Sequence, residues 1–292
     1  MFEKICKMSQ KDLKKFVAEK LKETHNKVIE GDGYVYAQGE FPVLLVAHLD
    51  TVHKELPKKI IYDVKTDSLS SPQGIGGDDR CGVYMIFEVV KQFNCSVLFC
   101  EDEEIGGVGA EKFTRTDIAK QLEFNYIIEF DRKGSNDAVF YDCANDEFEK
   151  FITEEFYKSS WGSFSDISVL APFFECAAVN LSCGYYNAHT TQEYVVLSEM
   201  DESIHQACRI LAKTTEEDKF EYIDGYFGDR FDFNYGYDYQ DRIYLIEWYD
   251  HNKKQEEWTE VEAISKAEAI GKFCIEHPTV PYNDIYITEY RY

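Results

Sequence analysis

A short apolar run that ends in a histidine and an aspartate constrains this chain more than any other feature. Residues 41–47 are apolar throughout, which predicts a strand in the middle of a sheet that is covered on both faces. His48 and Asp50 follow, and because side chains alternate along a strand, both project to the same side. This arrangement suits a metal-binding imidazole that is oriented by a nearby carboxylate.

Three further apolar runs predict buried strands, and helical patterns lie between them. The strands are expected at 96–100, 126–130 and 177–181; the helices are expected at 9–22 with a Ser9 cap, at 83–93, and at 198–213 with Ser198 and Asp201 as a capping box. This alternation predicts an α/β fold, a three-layer α/β/α domain with a mixed sheet over residues 1–214. In such sheets ligands collect beyond the carboxyl ends of the strands.

The last part of the chain differs in character. Residues 215–241 are rich in Asp, Tyr, Phe and Gly without a clear period, which leaves open a linker or an acidic aromatic loop lying on a neighbouring surface. Residues 242–292 predict strands at 243–249, 257–264 and 284–290, with a helix from Ser265 to about Ile275. We expect a small C-terminal α+β module of β-β-α-β order, appended to the main domain.

The net charge argues against several classes of partner, and the cysteine pattern argues against a disulfide framework. The formal net charge of −24 argues against nucleic acid and anionic membranes, because both bind basic surfaces. Nine cysteines without a C-x-x-C motif are typical of reduced, buried thiols rather than of a disulfide framework. We find no signal-peptide segment and no run as long as a membrane helix, so we expect a soluble protein in the cytoplasm.

Carboxylates and histidines follow the predicted buried strands. In chain order they are His48, Asp50, Asp78, Asp79, Glu103, Glu104, Asp131 and His189. Two histidines and three carboxylates, one of them bridging, match the ligand needs of two Zn²⁺ ions, although other divalent ions remain open. Two metals about 3.5–4 Å apart can polarise a carbonyl and hold a hydroxide between them. One further carboxylate then has to stay off the metals and accept the proton of that water.

The same stretches resemble the di-zinc exopeptidase clan of peptidase T, carboxypeptidase G, aminoacylase and the related zinc aminopeptidases. The resemblance spans about residues 40–195, and its matching segments are Ala47-His48-Leu49-Asp50-Thr51-Val52, Gly76-Gly77-Asp78-Asp79-Arg80-Cys81-Gly82, Asp102-Glu103-Glu104-Ile105-Gly106, Phe130-Asp131, and Asn187-Ala188-His189 with Glu193-Tyr194. As an ordered set these five segments are specific, although each alone is weak. The other histidines, His25, His53, His205, His251 and His277, are interpreted as surface or packing residues.

The resemblance also implies a role for each residue. His48 and Glu104 would each hold one metal, Asp78 would bridge the two, and Asp131 and His189 would complete their shells. Asp50 would orient His48, and Glu103 would be the general base. A cis peptide bond between Asp78 and Asp79 is a further expectation, because the bond after the bridging aspartate is commonly cis in this clan.

One departure from the clan concerns the lid. Aminoacylase-like enzymes insert a large lid domain before the final histidine ligand, whereas only 57 residues separate Asp131 from His189 here. We therefore expect a lidless variant, closer to the lidless aminopeptidases. Ser165 and Asp166 resemble a Ser-Asp stretch near the cleft of those enzymes, and an ordinary helix cap explains them equally well.

These observations favour a zinc-dependent metallo-exopeptidase, an aminopeptidase that hydrolyses short peptides by a metal-bridged hydroxide. An N-acyl amino acid deacylase or amidohydrolase on the same site is the first alternative, and it would need a carboxylate-binding arginine. Arg80 and Arg132 are the nearby candidates. A non-catalytic binding protein of this fold is the second alternative. Side-chain specificity and oligomeric state stay open.

Overall fold

The computed structural model describes residues 1–224, 242–250, 255–263 and 285–290, together with residues 253, 269, 272, 273, 277 and 280. The chain divides into a larger unit, made of Met1–Glu103 and Val108–Tyr226, and a smaller unit, made of Glu104–Gly107 and Phe227–Tyr292. Within the described residues, no helix is both long and apolar enough to cross a lipid bilayer.

An eight-stranded mixed sheet forms the centre of the larger unit. Its strands, in chain order, are β1 Lys27–Gly31, β2 Tyr34–Gln38, β3 Phe41–His48, β6 Cys95–Cys100, β7 Tyr126–Arg132, β8 Asp137–Val139, β9 Lys158–Ser160 and β10 Ala178–Ser182, and their spatial order is β1-β2-β6-β3-β7-β10-β8-β9. The four central strands β6, β3, β7 and β10 run parallel to one another. Their carboxyl ends therefore meet at one edge of the sheet, where the ligand-type residues follow them.

Helices cover both faces of this sheet. They are α1 Phe2–Cys6, α2 Gln10–Leu21, α3 Gly77–Val89, α4 Val108–Thr114, α5 Asp146–Thr153, α6 Ile167–Phe174 and α7 Leu197–Lys213, with 3-10 turns at Glu103–Ile105 and Ala119–Gln121. Along β3, Leu45 packs into a core with α1, α2, α3, α5 and α7, whereas Leu44 and Val46 pack into a second core with α4 and α6. The apolar run is buried on both sides, and the predicted three-layer α/β/α fold with a mixed sheet is confirmed.

A second, smaller sheet of four strands was not predicted from the sequence. Its strands are β4 Ile61–Asp63, β5 Ser68–Ser70, β11 Tyr185–Tyr186 and β12 Tyr194–Val196, in the order β11-β12-β5-β4. These strands are too short to show a clear hydrophobic period in the sequence. Their formation depends on pairing between distant parts of the chain. The loop between β11 and β12 carries His189.

Two helix boundaries differ from the expectation. Helix α3 spans Gly77–Val89 rather than beginning at residue 83, but the backbone of Asp78 and Asp79 is not helical. The carboxylate of Asp79 accepts the N–H of Gly82 at 2.8 Å and so caps the regular part of the helix that follows it. The predicted capping box of α7 is wrong. The helix begins at Leu197, and the N–H of Ser198 donates to Asp67 instead, because β5 begins beside this turn. Ser9 caps α2 as predicted, since its hydroxyl accepts the N–H of Asp12 at 3.1 Å.

The described part of the 215–241 segment lies on the larger unit. The carbonyl of Phe220 accepts the N–H of Ala177 at 2.8 Å, and the ring of Phe220 lies 5.0 Å from that of Phe151. Tyr222 donates its N–H to the carbonyl of Glu175. Residues 215–224 are thus packed chain rather than a free linker, whereas 225–241 fall outside the described residues.

The smaller unit contains an antiparallel sheet of three strands. They are β13 Arg242–Asp250, β14 Gln255–Ala263 and β15 Ile285–Tyr290, in the order β14-β13-β15. Ala269 and Phe273 are buried with Tyr244, Ile246 and Trp248 in a separate core. Most of the helix expected from Ser265 to about Ile275 lies outside the described residues.

Candidate metal centre

His48, at the carboxyl end of β3, is fully buried between carboxylates. Its Nδ1 lies 3.1 Å from Asp50 Oδ1, and its Nε2 lies 3.0 Å from Asp78 Oδ1 and 3.4 Å from Asp131 Oδ1. His48 and Asp50 thus lie on the same side, as the strand period predicts, and their side chains are in contact. Asp50 also accepts the backbone N–H of Glu103 at 3.1 Å, which ties the end of β3 to the turn that follows β6.

Asp78 lies between the two histidines of the candidate ligand set. One carboxylate oxygen, Oδ1, faces His48, while the other, Oδ2, lies 3.2 Å from His189 Nε2. The Asp78–Asp79 peptide bond is cis, as the resemblance implies. A carboxylate with one imidazole at each oxygen has the arrangement of a ligand that bridges two metal ions.

The side chains form two groups that could each hold a metal ion, and the groups share Asp78. The first comprises His48, Asp78 and Asp131, and the second comprises Asp78, Glu104 and His189; within each group the ligand atoms lie within 4.8 Å of one another. Atoms bound to one tetrahedral zinc lie about 3.3 Å apart, because each bond measures about 2.0–2.1 Å. The measured separations of 3.0, 3.2 and 3.4 Å fit this spacing. The nitrogen and oxygen donors also suit zinc.

Burial and mutual repulsion shift the titration of these groups. Burial alone would lower the pKa of His48, but the neighbouring carboxylates, Asp131 and Asp50, raise it well above its usual value. Burial raises the pKa of Asp131 to about 7, and the charge of Asp78 adds to the rise. Against its own burial, the pKa of Asp78 is lowered by contacts with His189 and His48. A bound divalent cation would neutralise this buried negative charge.

Asp79 and Asp78 are adjacent in sequence but perform different tasks. Asp79 is fully buried, and its carboxylate accepts the backbone N–H of His48 at 3.2 Å in addition to that of Gly82. It therefore fixes the end of β3 to the start of α3 instead of joining either candidate ligand group. The spacing of three residues to Gly82, typical of a helix cap, was the signal that could have assigned it.

Neither nearby arginine is placed to bind a substrate carboxylate. Arg80 is 1% exposed, and its guanidinium donates to the carbonyls of Leu49, Asp50 and Met8 at 2.6, 3.0 and 3.3 Å. Arg132 donates to Asp137 at 3.2 Å. The condition that would favour a deacylase is therefore not met by these two residues.

Ser165 and Asp166 lie beneath the site rather than acting as a simple helix cap. The hydroxyl of Ser165 donates to Glu129 and lies 3.3 Å from Asp131 Oδ2. Asp166 precedes α6 without making a capping hydrogen bond, and it is fully buried. Burial raises the pKa of Asp166 to about 7, against the opposing charge of His48.

Comparison with solved structures identifies the class of fold. The larger part of the chain is similar to aminopeptidase PepT from Bacillus cereus (TM-score 0.60, 14% identity, 73% of this chain and 97% of that chain) and to a tripeptidase from Staphylococcus aureus (0.58, 12%, 72% and 95%). A Zn-dependent exopeptidase from Parabacteroides distasonis matches with a TM-score of 0.50 at 12% identity, over 68% of this chain and 88% of that chain. No protein-family model matches the sequence, and neither does any curated protein.

The chain has the fold of the zinc-dependent exopeptidases. Within that class it is most like peptidase T and the tripeptidase among the three structures compared. The segment between Asp131 and His189 consists of β8, α5, β9, α6, β10 and β11, all within the larger unit. The insertion that forms a lid in aminoacylase-like enzymes has no counterpart among these elements.

Proposed function

We propose that the protein is a zinc-dependent exopeptidase, an aminopeptidase that acts on short peptides. The observation that carries the proposal is the placement of Asp78, whose two carboxylate oxygens face His48 and His189 at 3.0 and 3.2 Å. Two ligand groups that share one carboxylate are what a pair of metal ions requires. The fold of zinc exopeptidases supports the same function.

Each group would hold one ion. His48 and Asp131 would bind the first, Glu104 and His189 would bind the second, and Asp78 would bridge them. When bound, the ions would polarise the scissile carbonyl and acidify the attacking water. Asp50 orients the imidazole of His48 through Nδ1. Glu103, which belongs to neither ligand group, would accept the proton of the water and pass it to the leaving amine.

The charges around the site favour an unblocked amino terminus. Five of the proposed residues are carboxylates, and all of them are buried or half-buried: Asp50, Asp78, Glu103, Glu104 and Asp131. Arg80 and Arg132 donate to protein oxygens rather than offering a guanidinium to a substrate. Such a site attracts the cationic α-amine of a peptide more than the anionic group of an N-acylated amino acid.

The experiment combines metal analysis with matched substrates. Protein purified without chelators is expected to contain close to two zinc ions per chain. It is expected to hydrolyse free di- and tripeptides or aminoacyl anilides faster than N-acetylated amino acids. His48→Ala should lose both metal and activity. The matched control is His25→Ala, since His25 is also buried but contacts the carbonyl of Cys95 at 2.8 Å.

Three results would contradict the proposal. Failure of the purified chain to take up zinc on titration would reject the metal centre. Faster turnover of the acetylated substrates would favour the deacylase. Zinc-loaded protein that turns over neither substrate set would favour a binding protein.

A further inference from the structure

A buried carboxylate outside the ligand groups connects segments that carry the proposed ligands. Glu193 is fully buried and lies four residues after His189. Its Oε2 accepts the backbone N–H of Gly76 at 2.7 Å, and its Oε1 accepts that of Asp78 at 3.1 Å. The residue that bridges the two ligand groups is therefore held through its own backbone by Glu193.

His53 adds a third segment to this connection. It lies five residues after His48, its side chain is 8% exposed, and its Nε2 is 2.8 Å from Glu193 Oε2. Because a carboxylate can only accept, the imidazole N–H has to be the donor. The sequence alone suggested a surface or packing role for His53, whereas the structure places it in a buried polar contact.

The glycines of the loop before Asp78 leave room for this contact. A Cβ atom on Gly74 would lie 2.1 Å from the His53 ring, and one on Gly77 would lie 2.8 Å from the Tyr185 side chain. The backbone of the loop thus approaches His53 and its neighbours more closely than a side chain would allow. The loop is shaped around the Glu193 and His53 side chains.

We propose that Glu193 is a positioning residue of the metal centre, supported by His53. It joins three segments, each of which supplies one ligand: His48 before His53, Asp78 in the glycine loop, and His189 before Glu193. By accepting the N–H of Asp78 it holds this residue in the orientation in which each carboxylate oxygen faces one imidazole. The inference rests on the proposed function, since it assigns the residue that organises the same zinc site.

The first test measures zinc affinity by competition with a chelator. Glu193→Gln keeps the shape but directs an NH₂ group at one of the backbone donors. We expect zinc affinity to fall by about 10–100-fold, as is typical when the partners that orient metal ligands are changed. His53→Gln leaves intact both Glu193 oxygens that accept the backbone N–H groups of Gly76 and Asp78, and it should cause a smaller loss of zinc affinity. The matched control, His25→Gln, removes a buried histidine that touches no ligand segment and should leave zinc affinity unchanged.

The second test does not depend on metal. In the chelator-treated protein, hydrogen exchange of the Gly76 and Asp78 amides is expected to accelerate in Glu193→Gln and to stay at the original rate in His25→Gln. Should Glu193→Gln fail to fold, His53→Gln carries the test through its weaker zinc binding.

The two proposals can fail separately. A folded Glu193→Gln chain with unchanged zinc affinity and unchanged amide exchange would overturn the positioning role. For an unfolded Glu193→Gln chain, unchanged zinc affinity in His53→Gln would do the same. An unmodified chain that binds no zinc would reject the proposed function, and amide exchange would then still test whether Glu193 holds the loop.

Discussion

At the scale of single residues, adjacent identical side chains perform different tasks. Of the two aspartates after the glycine loop, Asp78 faces both histidines, while Asp79 accepts the backbone N–H groups of His48 and Gly82. Of the two glutamates after β6, Glu104 belongs to a ligand group and Glu103 does not. The two side chains of each pair therefore make different contacts, and this is why we propose different roles for them.

The division of labour in the glutamate pair is testable by substitution. Glu103→Gln removes a proton acceptor but keeps the shape, so turnover should fall by about 10²–10⁴-fold with two zinc ions retained. Glu104→Gln should instead reduce the zinc content. Steady-state rates and elemental analysis of both variants check the prediction. Near-normal turnover by a zinc-loaded Glu103→Gln chain would show that another group is the base.

The buried carboxylate of Asp166 predicts a pH dependence of stability in the metal-free protein. Its pKa is about 7 in the folded chain against 3.8 when exposed, so the folded chain holds the proton more tightly. Proton binding by Asp166 therefore stabilises the folded chain fully below about pH 4, and this stabilisation is lost as the pH rises through about 7. Asparagine does not titrate, so the unfolding free energy of Asp166→Asn minus that of the original chain should increase by at least ~1 kcal/mol between pH 4 and pH 8.

Chemical denaturation with chelator present measures this difference. The control is Asp117→Asn, which removes an aspartate whose side chain is 95% exposed, so the comparison isolates the effect of burying a carboxylate. If the difference in unfolding free energy between Asp166→Asn and the original chain did not change with pH, burial would not favour the protonated form of Asp166 in the folded chain.

At the scale of secondary-structure elements, the ends of strands and the start of one helix position the site. Strands β3 and β7 deliver His48 and Asp131, and α3 begins within the segment that carries Asp78. Helix α3 packs closely on β7, because a Cβ atom on Gly82 would lie 1.9 Å from the carbonyl oxygen of Phe130. The distance between helix and strand thus depends on a residue without a side chain.

Gly82→Ala should therefore push α3 away from β7. Overpacking of this kind costs about 1–3 kcal/mol, and the backbone atom on the other side cannot rotate away. Urea denaturation of the metal-free chain measures the loss of unfolding free energy. Glu88→Ala, at a partly exposed position near the end of the same helix, should change stability by only about 0.5 kcal/mol or less. A comparably small change for Gly82→Ala would contradict the close approach.

At the scale of the whole molecule, each of the two units has its own core. The larger unit contains His48, Asp78, Asp131 and His189, four of the residues proposed as metal ligands, and the smaller unit has a core built on Tyr244, Ile246 and Trp248. Residues 215–224 belong with the larger unit, because Phe220 packs its ring against Phe148 and Phe151. The boundary of an independently folding part is thus expected after residue 224, not after 214.

Shortened chains test this boundary. A chain of residues 1–224 should fold cooperatively and bind zinc. A chain of residues 1–214 should lose up to about 3 kcal/mol, the lower end of the cost of removing a core phenylalanine, because Phe220 is only partly buried. Thermal unfolding and zinc titration of both chains provide the comparison. Equal stability of the two would show that Phe220 adds little, and insolubility of the longer chain would show that residues 225–292 are needed for folding.

The sequence alone determined the layers of the larger unit and the candidate ligands. Strands that are buried on both faces are continuous apolar runs, and polar residues such as His48 and Asp131 mark their ends. A local sequence pattern therefore predicts both the strand and the candidate ligand that follows it. Only the tertiary structure decided that Asp79 accepts the backbone N–H groups of His48 and Gly82. It also decided that Arg80 donates to backbone carbonyls and that His53 contacts Glu193. Those contacts join segments up to 140 residues apart, and no local periodicity records such a pairing.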